Sequence, residues 1–599
     1  MKSSSLLDCP ELLQWIARHL DRENVATCML VSKLWNAQFG AVLWHTVRLP
    51  VRDVPLLLND DSLRAALQKH GRHVRSLTFL GPQLPALEGI KFLFQHCQQL
   101  DELVMGISQL NDDWVKASTL IRHSSKLDKI TLAVSTAALV DPTKLTELLA
   151  LAPQISSLSL SLNAGPPSII LQLLSQCKYL RRLQLGIVAE ETWTTQQPTE
   201  LSPNVAPSTL TTPTTATTPA YGLQELSIIS CPWPLAEHLL RHSPNLQRLK
   251  LPKIDRTHLP SLQQALMHRT RHGSSAPRTT TFLQTLHLQH LSHWQDRELA
   301  QLLLKACPPN TLRHLYLCGT QAGDLTLTTI LKYQSAHLET LDLRDTEGTA
   351  AVAATAALPS TSLQALLANC RQLRVFAAGN TCGTAALSAK DIVSMPWCCL
   401  RLRVLRVPII GICRDDSCRT HELCHLIQRQ IYGQLGRLTH LEDLDLSNRL
   451  DTRGGVEVQG LGVQVQEQQE QEQEKKGKKK KEEKEKEEEE EEERKEEKGV
   501  DNSHGSDDDG AGKRGWSQWP VEPESLEWTL ERGMDQLARL VRLRSFDLRG
   551  TDHLLSEEEI IWMKDHWPNL RRLLGLASHP RVLEVQEFTR EYWPEIRLE

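Results

Sequence analysis

The 599-residue sequence has no long hydrophobic run and little net charge. No uninterrupted apolar stretch approaches the ~20 residues that span a bilayer. The first residues pass at once into an amphipathic pattern, so we expect neither a membrane span nor a secretory signal. The formal charge of -5 is too small to indicate a nucleic-acid or anionic-membrane surface. The 14 cysteines are scattered singly, which favours reduced thiols in a cytoplasmic or nuclear protein.

Catalytic signatures are also missing from the sequence. It contains no Gly-rich phosphate loop, no Gly-x-Ser-x-Gly and no His-Glu-x-x-His. No spacing of Asp, Glu or His residues predicts an acid–base pair in a shared pocket. We therefore expect a protein that is not an enzyme and that needs no cofactor.

The densest group of cysteines and histidines follows Trp397. It comprises Cys413, Cys418, His421, Cys424 and His425. These residues supply enough ligands for tetrahedral zinc, but none are spaced as a paired Cys-x-x-Cys knuckle. Two interpretations stay open, buried core thiols and a zinc site. The lack of knuckle spacing favours core thiols, so we predict no metal.

What the sequence does contain is a recurring Leu-x-x-Leu-x-Leu hexamer, clearest at Leu441–Leu446. An alternating apolar hexamer predicts a strand with one buried face, and apolar runs of helical period lie between the hexamers. The hexamers begin at Val74, Leu100, Leu127, Ile155, Leu180, Leu223, Leu246, Leu283, Leu312, Leu338, Leu373, Leu402, Leu441, Leu543 and Leu570. The pattern resembles leucine-rich repeats, which implies an α/β right-handed solenoid, a horseshoe with its strands on the concave side.

Two stretches interrupt the repeats. Residues 191–220 are rich in Thr and Pro, and residues 451–520 form a Gln/Glu/Lys tract. Neither composition can build a core, so we expect both to be disordered. Ser-Pro and Thr-Pro pairs in the first are either phosphorylation sites or chance, and the basic run in the second is either a nuclear import signal or solvated charge. The repeats are therefore predicted at 74–450, with further repeats and a cap at 521–599.

Residues 6–49 do not follow the repeat pattern and predict three short helices. Pro10 suits the first turn of a helix, and apolar residues follow it at helical spacing, at Leu12, Leu13, Ile16 and Leu20. A unit of this size is too small to be comfortably stable alone. We therefore expect it to have a docked neighbour or a partner.

The same residues resemble an F-box. The resemblance rests on the series Cys9-Pro10-Glu11-Leu12-Leu13, the Leu-Val-Ser-Lys-x-Trp run that ends at Trp35, and the pair Leu43-Trp44, although Cys9 stands where the family usually has leucine. F-box proteins dock a Skp-type adaptor that links them to a cullin-RING (SCF) ubiquitin ligase. The resemblance implies that the following residues contact the adaptor or support that contact: Pro10, Leu12, Leu13, Ile16, Leu20, Val31 and Trp35. The alternative is a helical cap that shields the first repeat and has no partner.

The residues that alternate with the leucines predict a binding face, since they point away from the apolar core. The candidates are Arg248, Lys250, His287, His314, Tyr316, Asp342, Arg406, Asp443 and Asp445. They run from basic or polar in the middle of the array to acidic near its end, which could orient a partner of matching charge asymmetry. The alternative is that they are merely solvated strand residues.

These features together predict a non-catalytic substrate receptor of an SCF ubiquitin ligase. Its partners would be a Skp-type adaptor, through it a cullin-RING ligase, and an unknown protein substrate. The alternative is a leucine-rich-repeat interaction scaffold that is not engaged with a ubiquitin ligase. Neither interpretation involves nucleic acid or a membrane.

Overall fold

The structure is a computed structural model of the chain. It describes residues 9–50, 61–81, 84–107, 111–134, 142–162, 167–187, 221–251, 253–272, 282–291, 294–344, 358–379, 385–412, 421–446, 526–549, 551, 555–576 and 582–598. The two tracts at 191–220 and 451–520 lie outside these residues, so their predicted disorder stays a prediction. Among the described helices, none is both long enough and apolar enough to cross a membrane.

Three helices form a small unit at the N-terminal end of the described chain. They are α1 (Pro10–His19), α2 (Arg22–Cys28) and α3 (Lys33–Leu43), together called the helical module. The Asp21 side chain accepts a hydrogen bond from Asn24 N at 2.8 Å, and Ser32 Oγ accepts one from Trp35 N at 3.2 Å. These two caps fix where α2 and α3 begin. The module has a core of its own, made by Leu13, Ala17, Val25 and Phe39.

Seventeen strands form one parallel sheet along the rest of the described chain. They are β1 (Thr46–Pro50), β2 (Ser76–Leu80), β3 (Glu102–Ile107), β4 (Lys129–Val134), β5 (Ser157–Leu162), β6 (Arg182–Ile187), β7 (Glu225–Ser230), β8 (Arg248–Leu251), β9 (Thr285–Leu291), β10 (His314–Thr320), β11 (Thr340–Asp342), β12 (Val375–Ala377), β14 (Val404–Arg406), β16 (Asp443–Asp445), β17 (Ser545–Asp547), β18 (Arg572–Leu574) and β19 (Arg597–Leu598). Two more strands, β13 (Leu387–Ser388) and β15 (Ile409–Ile410), pair with each other.

Helices connect most of these strands, and neighbouring helices pack against one another. They are α4 (Asp61–His70), α5 (Leu87–His96), α6 (Asn111–His123), α7 (Pro142–Ala150), α8 (Pro167–Gln176), α9 (Trp233–Arg241), α10 (Leu259–His272), α11 (Asp296–Ala306), α12 (Asp324–Gln334), α13 (Ser360–Asn369), α14 (Ala389–Ser394), α15 (His421–Gly436), α16 (Glu557–His566) and α17 (Val582–Tyr592). Short 3-10 turns occur at Gly71–His73, Arg256–His258 and Met534–Arg539. Every predicted hexamer thus forms a strand, which confirms the α/β leucine-rich-repeat solenoid.

The sheet keeps the leucines in register from strand to strand. The second residue of each strand is apolar, so that Leu158 lies opposite Leu183 and Leu183 lies opposite Leu226. The strand pairing also continues across the stretch where the repeat pattern of the sequence is interrupted. There β16 pairs directly with β17, and Leu444 lies opposite Phe546. The repeats on either side of the Gln/Glu/Lys tract therefore belong to one sheet.

The two ends of the sheet differ from the sequence interpretation. Residues 46–49 were assigned to the helical module, but β1 pairs with β2, with Thr46 opposite Ser76. Val47 and Leu49 are buried in the main core, so the apolar alternation of a strand decides the structure there. At the other end a cap was expected within residues 521–599, where Phe588, Tyr592 and Trp593 give the sequence an aromatic tail. It forms α17, Trp593 is buried, and a last strand, β19, follows.

The cysteines at the helix-to-strand corners are buried. Cys97, Cys177 and Cys370 belong to the main core. Burial raises the pKa of the Cys97 and Cys370 thiols to about 12 and that of Cys177 to about 11, so these thiols stay neutral and unreactive near pH 7. Cys413 and Cys418 lie outside the described residues. Within the part of the chain that is described, no three potential ligands come close enough to hold a metal ion.

Candidate interaction surfaces

The residues assigned to the adaptor contact divide into three groups by burial. Leu13 lies in the core of the helical module, where it is fully buried. Four more are half-buried, and all but the first pack against that core: Leu12, Ile16, Leu20 and Trp35. The Trp35 ring stacks on Phe39 with 5.2 Å between ring centroids. Pro10 and Val31 are exposed. Most of the predicted set therefore supports the module from within, and only these two offer free surface.

The helical module exposes two further large apolar side chains beside Val31, those of Leu30 and Trp15, which the sequence interpretation did not include among the contact residues. Leu30 is 85% exposed, Val31 62% and Trp15 61%. These three side chains are the large apolar residues that the module leaves accessible to a partner. A tryptophan off the apolar stripe of α1 was the available signal for Trp15. For Leu30, the signal was an apolar run that continues beyond α2 up to the Ser32 cap.

The sheet brings the nine candidates of the binding face together. The side chains at the first and third positions of the strands form two rows, which we call the open face. The third-position row contains Lys250, His287, Tyr316, Asp342, Arg406 and Asp445, interrupted by Ala377 and extended by Asp547. The first-position row contains Arg248, His314 and Asp443. All nine residues therefore belong to one surface, from β8 to β16.

Arginines offset the carboxylates at the C-terminal end of the open face. Arg406 donates a hydrogen bond to Asp443 Oδ2 at 2.7 Å. The Asp342 side chain is buried and lies 2.7 Å from the Arg344 guanidinium. The acidic surface expected at this end is therefore a series of ion pairs, because Arg344 folds back onto the strand. The sequence interpretation assigned Arg344 no role.

The same arrangement occurs twice in this half of the sheet. In both copies the first carboxylate oxygen of an aspartate accepts hydrogen bonds from the backbone N and the Nε of the arginine two residues later. The distances are 3.1 and 3.0 Å for Asp342 with Arg344, and both are 3.0 Å for Asp547 with Arg549. We call this arrangement the Asp-Arg clip. The aspartate is the last residue of β11 in one copy and of β17 in the other. The backbone N–H of the arginine donates to that aspartate side chain and not to a neighbouring strand.

The middle of the open face is aromatic and largely neutral. The rings of His287 and Tyr316 lie 4.8 Å apart. Burial, reinforced by the positive charge of Lys250, lowers the pKa of His287 to about 4. His314 Nδ1 lies 3.0 Å from Thr340 Oγ1, and burial lowers the pKa of His314 as well. The basic charge predicted here therefore comes from Lys250 and its neighbour Arg248, not from the histidines.

Comparison with known proteins adds information on the fold only. No protein-family profile matches the sequence. No curated protein matches it either. The solved structures that resemble it include the yeast Rad7–Elc1 complex, at 15% identity over 70% of this chain and 97% of that chain, with a TM-score of 0.36. The leucine-rich-repeat protein LegL7 from Legionella pneumophila is 13% identical over 56% and 91%, with a TM-score of 0.33. The TLR13–ssRNA13 complex is 12% identical over 93% and 65%, with a TM-score of 0.31.

Proposed function

We propose that this protein is the non-catalytic substrate receptor of an SCF-type ubiquitin ligase. The helical module would hold a Skp-type adaptor, and the open face would hold the protein target. Catalysis would then be by proximity, since a target held near a ubiquitin-loaded enzyme reacts as if at high local concentration. The protein would act in the cytoplasm or the nucleus, without a cofactor and without contact with nucleic acid or a membrane.

The observation that supports this proposal most is the surface of the helical module. The module already has a core, yet it leaves Leu30, Val31 and Trp15 exposed. Covering a large apolar side chain contributes about 1.5–3 kcal/mol. A module that served only to cap the first repeat would gain nothing from such side chains pointing into water. The resemblance of this module's sequence to an F-box is the reason for proposing a Skp-type adaptor as that partner.

An interaction scaffold without a ligase is the second candidate. The open face favours it independently, because its two rows of polar and charged side chains form whether or not the helical module binds an adaptor. Both candidates use the same face for the target. The two candidates differ only in the role of the helical module.

Co-purification with a Skp-type adaptor distinguishes the two candidates. We expect the full chain to retain the adaptor and the double variant Leu30→Asp/Val31→Asp to lose at least about tenfold of it, because two apolar contacts become charged. Both side chains are exposed in the free protein, so the variant should fold. Leu13→Asp is unsuitable because Leu13 is buried in the module core.

Leu583→Asp is the matched control, since Leu583 is 71% exposed at the other end of the sheet. It should retain the adaptor as the wild type does. If the wild type fails to bind any Skp-type adaptor, the ligase proposal is wrong and the scaffold stands. If the double variant binds as well as the control, the adaptor does not use this surface.

A further inference from the structure

A cavity of about 830 Å³ lies where the helical module meets the first strands of the sheet. Five arginines line it, two from the helical module and three from the sheet side. These are Arg18, Arg22, Arg48, Arg72 and Arg75. No aspartate or glutamate lines this cavity among the residues that the structure describes. Glu23 borders a separate hollow of about 350 Å³ that shares Arg22 with it.

The arginines differ in how many contacts the protein itself gives them. Arg22 reaches one carbonyl oxygen, that of Thr46, at 3.4 Å. Arg75 is the best satisfied: it donates to Gln99 O and Gln99 Oε1, both at 3.2 Å, and lies 3.8 Å from Asp101, a half-exposed carboxylate outside the cavity. Like charges gathered in a recess repel one another more strongly than in open water. The five positive charges, with no described carboxylate among the lining residues, make the recess electropositive, and such a recess attracts anions.

Arg18 and Arg48 have the fewest contacts. In the described part of the chain, the side chain of neither makes a hydrogen bond or an ion pair, and both side chains are exposed to solvent. Arg72 donates from Nε to His73 Nε2 at 3.2 Å, a contact that requires a neutral imidazole. Consistent with that, burial and then the charges of Arg72 and Arg75 lower the pKa of His73.

We propose that this cavity binds a small polyphosphorylated anion, held between the arginines of the helical module and those of the sheet. Guanidinium groups pair with phosphate oxygens in a two-pronged geometry, and several of them converge here. The volume falls within the range of small-molecule sites, and a recess suits a compact ligand better than a flat membrane surface does. The proposal does not depend on the ligase role.

Such a ligand would also act on the structure. Arg18 and Arg22 belong to the helical module, whereas Arg48 lies on β1. An anion that contacts both sides would link the module to the sheet and hold the angle between them. Whatever the module carries would then be presented to the open face in a fixed orientation only when the anion is bound.

Calorimetric titration of the full chain with sodium tripolyphosphate tests the proposal. We expect saturable binding of one anion per chain. The double variant Arg48→Gln/Arg72→Gln should weaken binding at least about tenfold, because each charged hydrogen bond contributes more than ~1.4 kcal/mol. The control Arg181→Gln/Arg182→Gln removes two exposed arginines elsewhere on the sheet and should leave binding unchanged.

Arg18→Gln tests the side of the cavity that belongs to the helical module. If the double variant does not fold, Arg18→Gln alone provides the test. It should also weaken binding; unchanged binding would overturn the shared site. The proposal fails if tripolyphosphate gives no saturable heat, or if the control loses as much affinity as the double variant. It also fails if the protein binds vesicles of phosphatidylcholine and phosphatidylserine but not free tripolyphosphate.

Discussion

The two halves of the open face differ although one sheet carries both. Strands β3 to β6 have six residues each, and their third positions hold small or uncharged side chains: Val104, Thr131, Ser159 and Gln184. Strands β11, β12, β14, β16, β17 and β18 of the same sheet have three residues each, and their third positions include Asp342, Arg406, Asp445 and Asp547. The buried leucine rows are the same in both halves. Folding therefore depends on the leucine rows, and the face between them is free to serve binding.

The Asp-Arg clip accompanies part of this difference. Backbone pairing continues for one residue beyond each aspartate, since Leu343 N donates to Ala377 O and Leu548 N donates to Leu574 O. The next N–H, that of Arg344 or Arg549, donates to the aspartate side chain instead. A long strand such as β5 has serines at these positions and continues to Leu162. The clip therefore accounts for the paired charges, but β12, β14 and β18 are equally short and do not end in an aspartate.

The largest expected effect on the free energy of unfolding is at the buried leucines, which both halves of the sheet share. Leu158→Ala in β5 and Leu444→Ala in β16 remove buried side chains, and each should lower the free energy of unfolding by about 2–5 kcal/mol. Urea unfolding of the two variants measures it. Similar losses are expected because both leucines belong to one core. A loss in one half with none in the other would contradict a common core.

Acidification should affect the middle of the open face, between the two halves, next. His287 binds a proton at its ordinary pKa of 6.5 when unfolded but near 4 when folded. Its contribution to stability is therefore present above pH 6.5 and is lost as the pH falls towards 4, by up to on the order of 3 kcal/mol. His287→Gln should make the free energy of unfolding less dependent on pH between these values. An unchanged pH dependence in urea unfolding would show that His287 titrates normally.

Breaking an Asp-Arg clip should have a smaller effect, confined to the C-terminal half. Asp547→Asn removes a buried carboxylate from Arg549 and should lower the free energy of unfolding by about 1–3 kcal/mol. Ser159→Ala at the equivalent position of β5 should change it by less than about 0.5 kcal/mol. Thermal unfolding of the two variants gives the comparison. Equal losses would mean that the clip contributes nothing specific.

The smallest effect on stability, but a decisive one for binding, is expected at the exposed basic side chains. Arg248→Ala/Lys250→Ala should remove partners from a proximity-labelling experiment while changing stability by less than about 1 kcal/mol. Thr131→Ala/Ser159→Ala in the N-terminal half should leave the set of labelled proteins as it is in the wild type. If the second pair loses the same partners, the target does not discriminate between the halves.

Much of the fold could be predicted from the sequence, because the leucine hexamer fixes both the strand and its buried side. The start of the sheet could not: the apolar alternation of Val47 and Leu49 lies next to a motif that resembles an F-box. The rows of the open face followed from strand alternation. The net charge of these rows could not be predicted in the same way, since Arg344 and Arg549 lie two residues beyond the aspartates that they pair with. A linear pattern gives the direction of a side chain but not its partner.

Hydrogen–deuterium exchange of the full chain with and without a purified Skp-type adaptor tests the division of roles most directly. If the helical module holds the adaptor, exchange should slow in α1 to α3, most of all around Leu30 and Val31. Strands β8 to β16 should exchange as they do in the free protein, because the open face is reserved for the target. Protection of the open face with none in the helical module would contradict this division.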